Sequence, residues 1–182
     1  MDPLMHLMLP MLLLLAMRID PKKVVMLAPI AILVDLDALS GLHRGLFHNF
    51  IVVLILPAML IIYSKYKKPE WMLSSSLVLF YLVSHIVLDL GGVAFFYPFV
   101  GDQLYFEPEI TFAASDGFDI GFSLEYGMKP LEPMGTVSLL SDYGFGLIFL
   151  GIVAAAVFRK EALGALRELV RVFKGLLSRF RA

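Results

Sequence analysis

The stretch that decides the fold is Trp71-Met72-Leu73-Ser74-Ser75-Ser76-Leu77-Val78-Leu79-Phe80-Tyr81-Leu82-Val83-Ser84-His85-Ile86-Val87-Leu88-Asp89-Leu90. It is apolar nearly throughout and long enough, as a helix, to cross a hydrocarbon core of about 30 Å. Its ionisable groups, His85 and Asp89, stand at i and i+4. On a helix that spacing puts both on one face, as two ligands of a single ion require. Ionisable groups inside apolar runs are costly to bury, so they mark function more often than chance packing.

Working outward, four further apolar segments flank this one: Leu4–Met17, Val24–Asp37, Leu46–Tyr63 and Tyr143–Phe158. The first two are short, and each contains a proline, Pro10 and Pro29. The pattern predicts an all-α integral membrane protein with about five membrane-embedded helices. Residues 1–158 would form the membrane-embedded domain and residues 159–182 a basic amphipathic interfacial helix. The first segment lacks a preceding basic residue and a small-x-small cleavage site, so it reads as retained rather than as a signal peptide.

The chain has 182 residues, 59% of them hydrophobic, with 15 basic and 16 acidic side chains and no cysteine. Disulfides and thiolate ligands are therefore excluded, and any bound metal must be held by nitrogen and oxygen. The near-neutral total hides a segregation. Thirteen of the basic residues lie in three connectors, around Arg18–Lys23, around Lys65–Lys68 and after Arg159. In a five-crossing serpentine these share one side, which the positive-inside rule makes cytoplasmic. The N-terminus and the acidic 91–142 loop then fall outside. Apolar–polar alternation over Leu104–Phe112 and Phe118–Tyr126, around Ser115-Asp116-Gly117, reads as a β-hairpin in that loop. In the tail, Leu163, Leu166, Val170, Phe173, Leu177 and Phe180 form a stripe beside Arg167, Arg171 and Lys174, the mark of a helix on a lipid surface.

Within this layout the ionisable groups agree in depth. At a rise of about 1.5 Å per residue, His6 and Asp35 lie about 16 Å from the cytoplasmic end of their segments, and Asp37, His48 and His85 about 20–22 Å. Asp35 and Asp37 are about 200° apart on an α-helix, so both can be ligands only if the helix ends there. Otherwise one binds the ion and the other orients a histidine. His43 and Arg44 open the third segment, where a helix N-terminus and an arginine together suit an anion such as phosphate.

These residues, with Val34-Asp35-Leu36-Asp37, His43-Arg44-Gly45-Leu46-Phe47-His48-Asn49, Ser84-His85-Ile86-Val87-Leu88-Asp89, Gly91-Gly92 and Tyr97-Pro98 in order, resemble the family of membrane-bound metal-dependent hydrolases of the LexA-regulated inner-membrane type. That family's pattern runs Pro-Asp-x-Asp, His-Arg-Gly-x-Thr-His-Ser and His-x-x-x-Asp. Val34, Phe47 and Asn49 stand where it has proline, threonine and serine. The resemblance covers about Met1–Phe99 and implies a metal site. A more distant likeness in ligand order, to zinc-dependent phospholipase C, implies phosphoester hydrolysis at a two- or three-metal site. The later histidines of that family have no equivalents here.

The expectation is thus a metal-dependent hydrolase acting on a phosphoester of a lipid or lipid-linked substrate. His6, Asp37, His48, His85 and Asp89 would bind a divalent metal. Zinc is favoured by the mixed nitrogen and oxygen ligands, with manganese or iron as alternatives. Arg44 would hold the substrate anion, with His43 or Asp35 as the base. The expected partners are membrane lipids, and no nucleic acid. The competing reading is a metal-binding or transport membrane protein without catalysis.

Overall fold

The computed structural model describes residues 3–40, 44–113, 119–131, 142–160, 163–164, 166–168 and 170–171. Its helices are α1 (Pro3–Ala16), α2 (Pro21–Leu27), α3 (Ile30–Leu33), α4 (Leu56–Lys67), α5 (Met72–Leu88) and α6 (Asp142–Val157), and its strands β1 (Asp102–Ala113) and β2 (Asp119–Pro130).

Prolines and caps divide the first half of the chain. Asp20 opens α2, its Oδ1 accepting from the backbone N–H groups of Lys22 at 3.1 Å and Lys23 at 3.3 Å, with Pro21 at the first helical position, where no N–H is needed. Pro29 has no N–H to continue the ladder. The chain restarts as the four residues of α3 and tightens into a 3-10 run, Val34–Ser40. The third segment stays helical from Ile51 to Lys67, although Pro57 also lacks an N–H. A π-helical stretch, Ile51–Ile55, precedes it before α4 begins, a widening of the kind that accommodates a lost bond. Asn49 stabilises this entry, its Oδ1 accepting from Ile51 N at 3.0 Å and Val52 N at 3.1 Å.

Helix α5 is the central pillar. Leu77 and Tyr81 join one apolar cluster, with Leu14 and Leu15 of α1, Val24 of α2 and Ala31 of α3. Leu82 and Ile86 join a second, with Val34, Val53 and Val93. The buried Tyr81 hydroxyl donates to the Val24 carbonyl at 2.9 Å, and Ser64 and Ser75 meet at 2.6 Å to tie α4 to α5.

Two expectations need correction. The chain is not all-α. Strands β1 and β2, twelve residues each, form an antiparallel hairpin rooted just after α5, where Val93 and Leu104 exchange backbone bonds and Phe106 N donates to Leu90 O at 2.8 Å. The alternation over 104–112 and 118–126 foreshadowed this hairpin. Its expected turn, Ser115-Asp116-Gly117, lies outside the described residues. Nor do the described residues hold five membrane spans. Among the described residues one helical stretch, Pro69–Leu88, is long and apolar enough to cross a membrane. Fourteen residues of α1 reach only about 21 Å at 1.5 Å per residue. Pro29 cuts the second segment into shorter pieces, the third winds as the π stretch Ile51–Ile55 before the twelve residues of α4, and the apolar part of α6, Gly146–Val157, is also short. The serpentine, and the sidedness of the N-terminus, loop and C-terminus drawn from it, lose their footing. Most of the expected tail helix, including residues 172–182, lies outside the described residues.

Candidate metal centre

The centre forms where α5 ends against α1, the 3-10 run and the turn after residue 43. His85, in the last turn of α5, is wholly buried, and its Nδ1 donates to the Ala31 carbonyl at 2.6 Å. A carbonyl only accepts, so the ring's proton is assigned to Nδ1 and the lone pair to Nε2. His48 is fixed in the same manner. Its Nδ1 meets Asp37 Oδ2 at 2.7 Å, and the same oxygen accepts from Gly45 N at 3.0 Å. The two Nε2 atoms then face each other at 3.0 Å. Two imidazole lone pairs at this separation repel unless a proton or a cation joins them. Ligand nitrogens about 2.0–2.1 Å from a shared zinc-like ion lie about 3.3 Å apart at a tetrahedral angle.

Two carboxylates complete the group. Asp89, at the C-cap of α5, brings Oδ2 to 3.5 Å from both Nε2 atoms. Asp35 Oδ1 stands 3.5 Å from His85 Nε2 and 3.9 Å from His48 Nε2. One donor atom from each of Asp35, His48, His85 and Asp89 lies within 4.8 Å of the other three, and this group can hold a metal ion. The chemistry of the donors fits a divalent cation: two neutral nitrogens, two carboxylate oxygens, no sulfur.

Arg44 closes one side. Its φ of 65° is the left-handed region, which costs a non-glycine residue roughly 1–2 kcal/mol. The turn is held by Ala94 N donating to Arg44 O at 3.0 Å. From there the guanidinium reaches Asp89 Oδ1 at 2.8 Å and the Gly92 carbonyl at 3.3 Å. Burial opposes ionisation of Asp89, but contacts with His48, His6 and His85 and the charge of Arg44 hold its carboxyl well below the usual carboxylate range. For His48 burial pushes the pKa down, and the hydrogen bonds and charges of Asp37 and Asp89 outweigh it, leaving the ring above its ordinary 6.5.

His6 of α1 is buried against the cluster, its ring stacked on His85 with centroids 4.0 Å apart and planes inclined by 22°. Its Nε2 is 3.4 Å from Asp89 Oδ1 and its Nδ1 3.9 Å from Asp35 Oδ2.

Of the residues singled out in the sequence, the structure brings together His6, Asp35, Asp37, Arg44, His48, His85 and Asp89. His43 lies outside the described residues. The two aspartates exchange their expected parts. Asp35, expected as a base, stands among the four donors, and Asp37, expected as a ligand, holds the far nitrogen of His48. In a 3-10 run each residue turns about 120°, so residues two apart point about 240° from one another. The backbone partners, the carbonyls of Ala31 and Gly92 and the N–H of Gly45, had no signal in side-chain identities. Asn49, where the resembled family has serine, is a helix-entry cap here, a task both residues perform well.

Compared with known proteins, the chain matches no protein-family model, no curated protein and no solved structure.

Proposed function

We propose that this protein is a membrane-bound, metal-dependent hydrolase of a phosphoester on a lipid or lipid-linked substrate. The observation that carries the reading is the convergence of Asp35, His48, His85 and Asp89 within 4.8 Å, beside an arginine whose side chain is 24% exposed. A divalent ion in such a group lowers the pKa of bound water and polarises a phosphoryl oxygen. Zinc suits the donors, with manganese or iron as alternatives. The chain's own residues do the rest. Asp37 and the Ala31 carbonyl keep the two imidazoles oriented, and Arg44 offers its charge to the phosphoryl oxygens. With Asp35 among the donors and Asp37 committed to His48, the base role stays with His43, on the ground of its place in the chain beside Arg44.

Two apolar grooves support a substrate with an apolar chain. One, of about 460 Å³, is walled by Val34, Leu36 and Phe47, the chain neighbours of Asp35 and His48. The other, of about 600 Å³, runs between α1 and α5 and reaches Ser84 and Leu88, beside His85 and Asp89. Membrane attachment rests on the Pro69–Leu88 helix and on the large apolar side chains exposed on α1 and α4, among them Leu13, Leu56, Met59 and Ile62.

The test is a metal analysis of the detergent-purified full chain together with a panel of phosphomonoester and phosphodiester lipids. Chelator-sensitive hydrolysis that Arg44→Ala abolishes without releasing the ion is the expected result. A bound ion with no hydrolysis of any substrate in the panel favours the non-catalytic metal-binding reading instead.

A further inference from the structure

The hairpin keeps two chemistries on two faces. In its antiparallel register Leu104 stands opposite Met128, Phe106 opposite Tyr126 and Ile110 opposite Phe122. With a side-chain period of two, all six lie on one face. Ile120 and Leu124 share it, and Asp102 falls on it only at the root of the ladder. The other face pairs Gln103 with Lys129, Glu107 with Glu125 and Glu109 with Ser123. That face is closed by its own side chains. The Tyr105 ring lies against Gly127, the Lys129 ammonium sits 5.3 Å from the centre of that ring, and Ser123 Oγ donates to Glu109 Oε2 at 3.4 Å.

The apolar face has no such cover. Its eight large side chains are 38–74% exposed, and none joins either apolar cluster of the helical core. A two-stranded hairpin is marginal in water unless a further layer packs on it. At roughly 200 Å² for a large apolar side chain, about 900 Å² stays open. Each partner in a stable protein interface contributes about 800 Å².

A bilayer surface and a second sheet could each supply that layer, and charge separates them. An element that lies on a bilayer is backed by Lys and Arg, which anionic headgroups attract. Here the backing is Glu107, Glu109 and Glu125 against Lys129, which such a surface repels. Nor does the edge of β1 invite a further strand, because Pro108 has no N–H to offer within it. We propose that the apolar face of the hairpin is the interface between two copies of this chain, packed face to face as a four-stranded sandwich. A two-fold axis sets a patch against itself. Eight uncharged side chains accept that, and both acidic faces then point outward into water. The interface lies apart from the metal centre and does not depend on it.

The experiment places single cysteines in the full chain, which has none of its own, in phosphatidylcholine vesicles at a low ratio of protein to lipid. Leu124→Cys and Glu125→Cys are neighbours at mid-ladder on opposite faces. A bis-maleimide with a reach of about 10 Å, the spacing of packed sheets, should join Leu124→Cys into a two-chain species and leave Glu125→Cys as single chains. Adding Ile110→Lys to Leu124→Cys should cut the yield by more than about tenfold, because it buries a charge without a partner. Adding Thr111→Lys, on the acidic face, should leave the yield unchanged. Circular dichroism checks that both lysine variants fold, and the contrast between the two cysteines stands without them. Absence of a two-chain species from Leu124→Cys overturns the proposal. If a photoreactive acyl chain then labels the hairpin, the face belongs to the bilayer. Equal yields from the two cysteines also overturn it, as does a yield that Ile110→Lys leaves untouched in a folded chain.

Discussion

His48 and His85 point their Nε2 atoms at each other across 3.0 Å, and each is held there from behind, His48 by Asp37 at 2.7 Å and His85 by the Ala31 carbonyl at 2.6 Å. Neither ring can rotate away without losing a buried hydrogen bond. An arrangement that aims two lone pairs at one small space, and then locks them, is unfavourable in itself and becomes favourable once a cation is shared.

Removal of a donor should separate from removal of the neighbouring charge. His85→Ala or Asp89→Ala takes away one of four donors, and metal content after dialysis should fall sharply. Arg44→Ala should retain the ion and lose turnover, since Arg44 contacts Asp89 Oδ1 rather than the Oδ2 turned to His48 and His85. Metal analysis paired with a hydrolysis assay reads both, and parental metal content in His85→Ala or Asp89→Ala rejects the assignment.

Asp37→Asn tests orientation apart from ligation. The amide keeps the shape of the side chain but loses the charge that raises the basicity of His48. Metal affinity should drop by about 10–100-fold, the usual cost of losing a partner that orients a metal-bound histidine. Competition against a chelator of known strength measures it. An unchanged affinity shows that Asp37 plays no part in the site.

The raised pKa of His48 gives a pH dependence of definite sign. An ion must displace any proton on the ring, so affinity for Mn2+ should climb as pH rises through and above 6.5. In the metal-free protein the linkage runs the other way. A ring whose folded pKa exceeds its unfolded 6.5 stabilises the fold fully below 6.5, and that contribution is lost as pH rises through the folded value. Thermal melts of metal-free and Mn2+-loaded protein across this range should therefore slope in opposite directions. Parallel slopes contradict the expectation.

If Pro69–Leu88 crosses the bilayer, single cysteines at Tyr66 and Gly101 should label from opposite sides of sealed vesicles. The chain has no cysteine of its own to interfere. Labelling of both from the same side removes the crossing.

Tyr81→Phe is the control for packing. It keeps the buried ring and removes one of the two donors to the Val24 carbonyl, which still accepts from Ala28 N at 3.0 Å, at a cost of about 0.5–1.5 kcal/mol. The melting temperature should fall by a few degrees while metal content stays at the parental level. Loss of the ion in this variant makes the metal site and the α2–α5 packing a single unit.

Much of the site is legible in the order and spacing of its residues. Local periodicity is a property of the chain, so the spacing of His85 and Asp89 is enough to put them together on the buried face of α5. The absence of cysteine limits the donors to nitrogen and oxygen, and the alternation over 104–112 and 118–126 carries the hairpin. Residue types alone assign Arg44 to a substrate anion, and its contact with Asp89 emerges only in the fold.

What the tertiary structure alone decided depends on how separate elements end and meet. Which of Asp35 and Asp37 reaches the Nε2 side of the histidines, and which the Nδ1 of His48, turns on the change from α-helical to 3-10 winding after Leu33. The number of helices long enough to cross a membrane depends on where the winding changes, at Pro29 in the second segment and from π to α at Leu56 in the third, which hydropathy does not register. The ring of His6 stacks on His85 instead of aiming at the same point because α1 passes alongside α5 at that level, a contact between residues 79 positions apart in sequence. Periodicity is written into neighbouring residues. Convergence is written into the packing of distant ones, and only the folded chain brings four donors within 4.8 Å.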